Sequence, residues 1–262
     1  MLILLPPSEG KTAPRRGKPL DLATLALPHL APARQRVLDA VVTLCAGDEA
    51  EAARVLDVPK SQLDLVGLNA RLRTAPTARA DHVYSGVLYD ALSPATLSTA
   101  ARRRATSRLL VTSSLFGVVG PADRIPAYRL SGDSRLPGLA GLGGVAAHWR
   151  DALGPALEEA AGDRLVVDLR SSMYAAFWRP PATLARRVAT VRVLHEVAGK
   201  RQVVSHFNKA TKGRIVRELL ESGAAPRNPA RLADALRDLG WTVEVDAAGR
   251  TGTRLDVVVS EL

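Results

Sequence analysis

Two kinds of apolar pattern run along the chain: short unbroken apolar runs that stop abruptly, and longer stretches in which apolar residues recur every three or four positions. The first kind predicts buried strands at Leu2 to Leu5, Leu109 to Val111 and Leu165 to Leu169. Val191 to Val197 with Arg201 to Phe207 predicts a hairpin around Ala198-Gly199-Lys200, and Trp241 to Val245 with Arg254 to Val259 a closing hairpin. The second kind predicts helices from Pro32 to about Ala46, Asp48 to Leu56, Gln62 to Leu72 behind a Ser61 cap, Ala146 to Ala160, and Arg231 to Leu239. Another helix is opened by Ser93-Pro94 and ended by Arg102-Arg103-Arg104, and one more carries Ile215, Val216, Leu219 and Leu220 on one face. Residues 13–32, rich in Pro, Ala and basic side chains, predict an irregular segment. Within about 33–75, the two short helices joined by Asp57 to Ser61 form a helix-hairpin-helix candidate. Val58-Pro59-Lys60 stands where that motif carries a Gly-apolar-Gly step.

Each apolar run gives way to polar residues of the same kind. Leu2 to Leu5 leads through Pro6-Pro7 to Lys11; the absence of the first glycine of a phosphate loop excludes that motif. Leu109 to Val111 leads to Ser113 and Ser114, then Asp123, Arg124, Tyr128 and Arg129, spaced by Pro121 and Pro126. Leu165 to Leu169 leads to Ser171 and Tyr174, and the predicted strand to Phe207 leads to Lys209, Lys212 and Arg214. Placed in a helix's first turn, Lys212 and Arg214 oppose its dipole unless an anion binds there. If the strands share one sheet, cations and hydroxyls gather at one edge, which suits phosphates. Lys60 and the Arg102-Arg103-Arg104 triplet add candidate phosphate contacts, and Asp123, Tyr128 and Tyr174 are the candidates for proton transfer.

Charge sharpens this picture. A formal net charge of +10 favours a polyanionic partner. Cys45, the one cysteine, lies at helical steps from Val37, Leu38, Val41 and Val42 and predicts a core thiol in a reducing compartment. Trp149 predicts core likewise. The five histidines show no metal-ligand spacing, and no catalytic signature is present, so neither a metal nor a cofactor is expected. No signal peptide or membrane span is apparent, which predicts a cytoplasmic protein.

The blocks LILLPPSEGKT, YSGVLYDAL, TSSLFGVVGPADRIPAYRL, DLRSSMY, VVSHFNKATKGRIVREL and LGWTVEV together resemble the YaaA family of bacterial peroxide stress resistance proteins, essentially end to end. That resemblance implies one compact mixed α/β (α+β) domain over residues 1–262, with a central mixed sheet, flanking helices, a helix-hairpin-helix element and a basic cleft. It implies binding to duplex, single-stranded or branched DNA, and a role in limiting oxidative DNA damage and free iron. The family's site residues fall on Lys11, Ser114, Gly117, Pro121, Asp123, Tyr128, Arg129, Ser171, Tyr174, Lys209 and Gly213. Two readings stand together: a DNA-binding protein without sequence preference, and an enzyme acting on a nucleotide or phosphorylated small molecule. The oligomeric state stays open, a monomer being one reading.

Overall fold

The short apolar runs become the centre of a sheet because a strand covered on both faces needs no polar alternation. In a computed structural model describing all residues except 140–143, 198–199, 203, 247–248, 250 and 261–262, the strands are β1 Leu2–Leu5, β2 Ala78–Arg79, β3 Leu109–Ser113, β4 Gly117–Val119, β5 Arg124–Ile125, β6 Val166–Asp168, β7 Val188–Val197, β8 Lys200–Gln202, β9 Thr242–Val245 and β10 Thr253–Val259. The helices are α1 Ala31–Ala46, α2 Glu49–Val55, α3 Asp64–Ala70, α4 Ala80–Val83, α5 Val87–Leu92, α6 Thr99–Arg108, α7 Val145–Ala161, α8 Ser172–Ala175, α9 Ser205–Ser222 and α10 Pro229–Asp238.

One mixed sheet runs β4-β3-β1-β6-β7-β10-β9, with β8 added to β7, while β2 and β5 form a separate pair. Strands β3, β1, β6, β7 and β10 are mutually parallel, and β4 and β9 close the edges antiparallel. From β1 the chain goes first to β3 on one side and later to β6 on the other, so the strand order reverses at β1. Crevices at the carboxyl ends of strands beside such a reversal are where open α/β sheets bind ligands.

Two glycines mark close approaches. Gly117 has φ +73, and a Cβ there would lie 2.7 Å from the Trp149 ring; the indole is fully buried and donates to the Ser114 carbonyl at 2.7 Å. At Gly213, where α9 crosses α5, a Cβ would lie 2.3 Å from the Leu88 carbonyl oxygen. Cys45 is buried in the core, as its spacing predicts.

Several local expectations are corrected. Ser205 to Phe207 is the start of α9 rather than the end of a strand, so Lys209, Lys212 and Arg214 lie inside that helix and the first-turn dipole argument does not apply. The predicted turn residues Ala198 and Gly199 lie outside the described residues. Ser93-Pro94 opens only a 3-10 turn; α6 starts after Ser98, whose hydroxyl accepts from Ala101 N–H, and ends at Arg108, leaving Arg102 to Arg104 in mid-helix. Ser61 lies in a 3-10 turn, and α3 begins only at Asp64, behind Leu63.

The helix-hairpin-helix expectation is left without support. α2 and α3 do flank a turn, but Asp57 N–H donates to Arg54, Val58 N–H to Ala53 and Gln62 N–H to Pro59, all backbone carbonyls. Val58 is buried. These bonds occupy the amides of Asp57 and Val58, and Pro59 has none to offer a phosphate.

Candidate functional site at the strand ends

After β1 the chain turns at Pro6-Pro7, and the next residues are held by the segment entering α5. Tyr89 donates its hydroxyl proton to the Pro6 carbonyl at 2.8 Å, Ser85 N–H donates to the Ser8 hydroxyl at 3.2 Å, and Thr12 N–H donates to the Val83 carbonyl at 2.8 Å. The backbone of Lys11 bridges to Tyr84. Thus the tyrosine block and the lysine loop, some 75 positions apart in sequence, make one structure.

The Lys11 ammonium donates to the Ser8 carbonyl at 2.7 Å and lies 4.2 Å from the Tyr128 ring centroid and 5.7 Å from that of Tyr84. Burial, and next the Arg129 charge, lower its pKa from 10.5 to about 7, while Glu9 opposes them. The residue as a whole is half-buried, with the amine against the tyrosine rings.

All four tyrosines of the protein meet here. Tyr84 stacks on Tyr89 with centroids 5.3 Å apart. The Tyr128 hydroxyl bonds to the Tyr84 hydroxyl at 3.0 Å and to the Ser113 hydroxyl at 2.8 Å, and the latter accepts from Phe116 N–H. Burial raises the pKa of all four tyrosines, and their negative forms would repel one another; Ser114 counteracts this in part at Tyr174. They are neutral hydrogen-bonding phenols at physiological pH.

Arg129 is positioned through its backbone. The buried Asn69 side chain accepts from Arg129 N–H at 2.9 Å and donates to its carbonyl at 2.6 Å, a pairing of α3 with the loop before Leu130. The Arg129 Nε is buried with no hydrogen-bond partner among the described residues, and no ion pair of Lys11 or Arg129 occurs among them. Many other arginines have a carboxylate, as Arg170 has Asp168 at 2.7 Å and Arg192 has Asp256 at 2.5 Å.

Of the residues singled out from the sequence, the contacts bring together Lys11, Ser114, Tyr128, Arg129 and Tyr174. Asp123 has a different partnership: its carboxylate accepts from Ala26 N–H at 3.0 Å and Gly120 N–H at 2.9 Å. It pins the irregular 13–30 segment to the turn after β4, a clamp rather than a proton donor poised in the tyrosine cluster. Lys212 is buried and donates to the Leu169 carbonyl at 2.9 Å; burial lowers its pKa to about 8, with Asp168 opposing. It ties α9 to the end of β6. Ser171 is exposed before α8, and Lys60, Lys209 and Arg214 are exposed on the surface. No described hydrogen bond or ion pair joins Lys209 to the Lys11 cluster.

The arginine triplet divides. Arg104 donates to the Leu220 and Glu221 carbonyls at the end of α9 at 2.6 and 3.1 Å, a role in which a cation meets the negative end of a helix. Arg102 is exposed and reaches the Ala95 and Leu97 carbonyls at 3.3 Å, while Arg103 is exposed.

Sequence reasoning passed over Tyr84, Tyr89 and Asn69 as site residues. The tyrosines had a signal, two of only four in one short block; a helical Asn has none until its pairing with a distant loop is seen. Among the described residues no group of three or more His, Cys, Asp or Glu gathers to hold a metal.

Residues 1–247 match the family model described as Peroxide stress protein YaaA. This chain belongs to the YaaA family. A UPF0246 protein of Streptomyces coelicolor is 54% identical over the whole of both chains. One from Corynebacterium efficiens is 42% identical over 98% of this chain and 100% of its own, and one from Corynebacterium glutamicum is 40% identical over 93% and 95%. The YaaA-family match spans every strand of the central sheet up to β9, and so includes each element that builds the cluster. Among the described residues no helix is long and apolar enough to cross a membrane.

Proposed function

We propose that this YaaA-family protein acts in the peroxide response by binding DNA through phosphates, without sequence preference, and so limits oxidative damage to DNA. The observation that supports this reading is the Lys11–Arg129 pair: two cations close enough to repel, with no carboxylate in ion-pair contact among the described residues. Unneutralised like charges in a partly desolvated place cost free energy, and an anion between them reverses the sign. The exposed Lys60, Arg102, Arg103, Lys209 and Arg214 supply further phosphate contacts outside it. The net charge of +10 draws in duplex, single-stranded or branched DNA alike. An effect on free iron runs through protected DNA in this reading, not through iron ligands.

The test is a filter-binding titration of all three DNA forms over a range of salt. Retention that falls steeply with salt supports the reading, and no retention of any form at low salt overturns it. A second reading, an enzyme acting on a nucleotide or phosphorylated small molecule, is favoured by the hydroxyl chain Tyr84–Tyr128–Ser113 beside Lys11. A phosphate clamp alone needs no such chain.

A further inference from the structure

We propose that Lys11 captures the aldehyde of a 2-deoxyribose phosphate as a reversible imine, with the sugar's phosphate held by Arg129. This rests on the reading that the strand-end cluster accepts a phosphate, and adds to it a covalent chemistry and a substrate class.

Four features of the cluster lead there. An amine that is to attack a carbonyl must spend time without its proton while remaining reachable, and Lys11 is half-buried with aromatic faces rather than carboxylates against it. Next to it, the buried Arg129 Nε has no partner among the described residues, a vacant donor suited to an anionic oxygen. Beside the amine run the joined hydroxyls of Tyr84, Tyr128 and Ser113, kept protonated by burial. Finally, the place lies past the carboxyl ends of β1 and β3, next to the β1–β6 boundary where the strand order reverses. An amine and a separate cation side by side select a molecule with both a carbonyl and a negative charge. Oxidative loss of a base from DNA leaves such a molecule, an aldehyde-bearing deoxyribose still carrying phosphate.

The step balances without any further reactant. The neutral Lys11 nitrogen adds to the aldehyde carbon, the carbonyl π pair takes up the proton that the nitrogen releases, and a carbinolamine results. The carbon–oxygen bond then breaks with the oxygen leaving as water, the proton it needs passing from the nitrogen along the neutral hydroxyl chain as the carbon–nitrogen double bond forms. One amine and one aldehyde yield one imine and one water, with no change of oxidation state.

The experiment incubates the full chain with free 2-deoxyribose 5-phosphate, or with an oligonucleotide carrying one abasic site, and reduces any imine with cyanoborohydride. Peptide mass mapping then locates the adduct. Expected is a dominant adduct on Lys11, reduced at least about tenfold by Lys11→Arg, which keeps the charge, and unchanged by Lys18→Arg. Arg129→Gln is expected to raise the concentration needed for half-capture of the sugar phosphate but not of unphosphorylated 2-deoxyribose. Adducts spread evenly over Lys18, Lys60 and Lys209, or none at all, overturn the proposal.

The two arms identify the source: capture from the oligonucleotide alone points to DNA, and capture of the free sugar phosphate alone to a metabolite. Retention of intact DNA at low salt is read in parallel. Retention without an adduct sinks the imine and leaves the DNA reading standing; an adduct without retention does the reverse.

Discussion

The Lys11 ammonium lies 4.2 Å from the centre of the Tyr128 ring, and the hydroxyl of that same ring is tied to Tyr84 and Ser113. One tyrosine therefore both shields the cation from water and connects it to a chain of neutral hydroxyls. The packing that costs the ammonium its solvation is the packing that organises the hydroxyl chain.

This relationship sets a pH dependence. The Lys11 pKa is lowered in the folded state to about 7 by burial and then by Arg129, so unfolding takes up a proton between about 7 and the ordinary value near 10.5. Stability contributed by this group is lowest below about pH 7 and recovers as pH rises. Lys212, lowered to about 8 by burial, acts in the same direction. The unfolding free energy from urea titration is expected to rise between pH 7 and 9.5, by at most about 1.4 kcal/mol for each pH step of one from Lys11, and Lys11→Met to flatten that rise. A flat unfolding free energy in the parent protein would contradict the assignment.

Arg34 is fully buried and donates to the carbonyls of Phe116, Val118, Ala26 and Leu27 at 2.6 to 3.3 Å. Burial lowers its pKa to about 10, with Asp123 opposing. Arg34→Ala leaves several buried acceptors unpaired and is expected to destabilise by about 3 to 5 kcal/mol. Thermal and urea unfolding measure the loss, and a change below about 1 kcal/mol would show that water replaces the guanidinium freely.

Asp123→Asn separates a clamp from a catalytic acid. The carboxylate joins Ala26 to Gly120 through backbone amides, so the amide variant is expected to lose about 1 to 2 kcal/mol of stability. Its capture of sugar phosphate and retention of DNA, assayed well below the melting temperature, should match the parent. Abolished capture in a folded variant would return Asp123 to the reacting groups.

Gly213→Ala places a methyl group 2.3 Å from the Leu88 carbonyl oxygen, which is backbone and cannot swing aside. A loss of at least about 1 to 3 kcal/mol is expected from the forced separation of α9 and α5. Because α5 follows the Tyr84 block, the same variant should weaken capture at Lys11. Comparing unfolding midpoints with adduct yields tests both parts.

Surface cations act differently. Lys209→Ala and Arg214→Ala remove exposed charges, so each is expected to weaken DNA retention equally across sequences and reduce the salt slope by about 0.9. Neither should alter capture of the free sugar phosphate.

The buried strands β1, β3 and β6, the helix around Trp149, the β9–β10 hairpin and the polar loops behind the strands are all decided locally, by unbroken apolar runs ended by Pro, Gly and Ser, and so the sequence alone predicts them. Local pattern also put Lys11, Ser114, Tyr128, Arg129 and Tyr174 forward, because each comes after a strand end. What it could not decide was partnership. Residues Arg201 to Phe207 read as a strand from the local pattern, yet α9 begins at Ser205, where contacts of that helix with α5 and the end of β6 favour helix. Asp123 and Arg129 stand in one loop, yet Asp123 turns to Ala26 while Asn69 fixes Arg129 for Lys11. Arg104 reads as part of a basic run until the end of α9 arrives beside it. Those assignments belong to groups far apart in sequence whose hydrogen bonds exist only once the sheet order has brought them together.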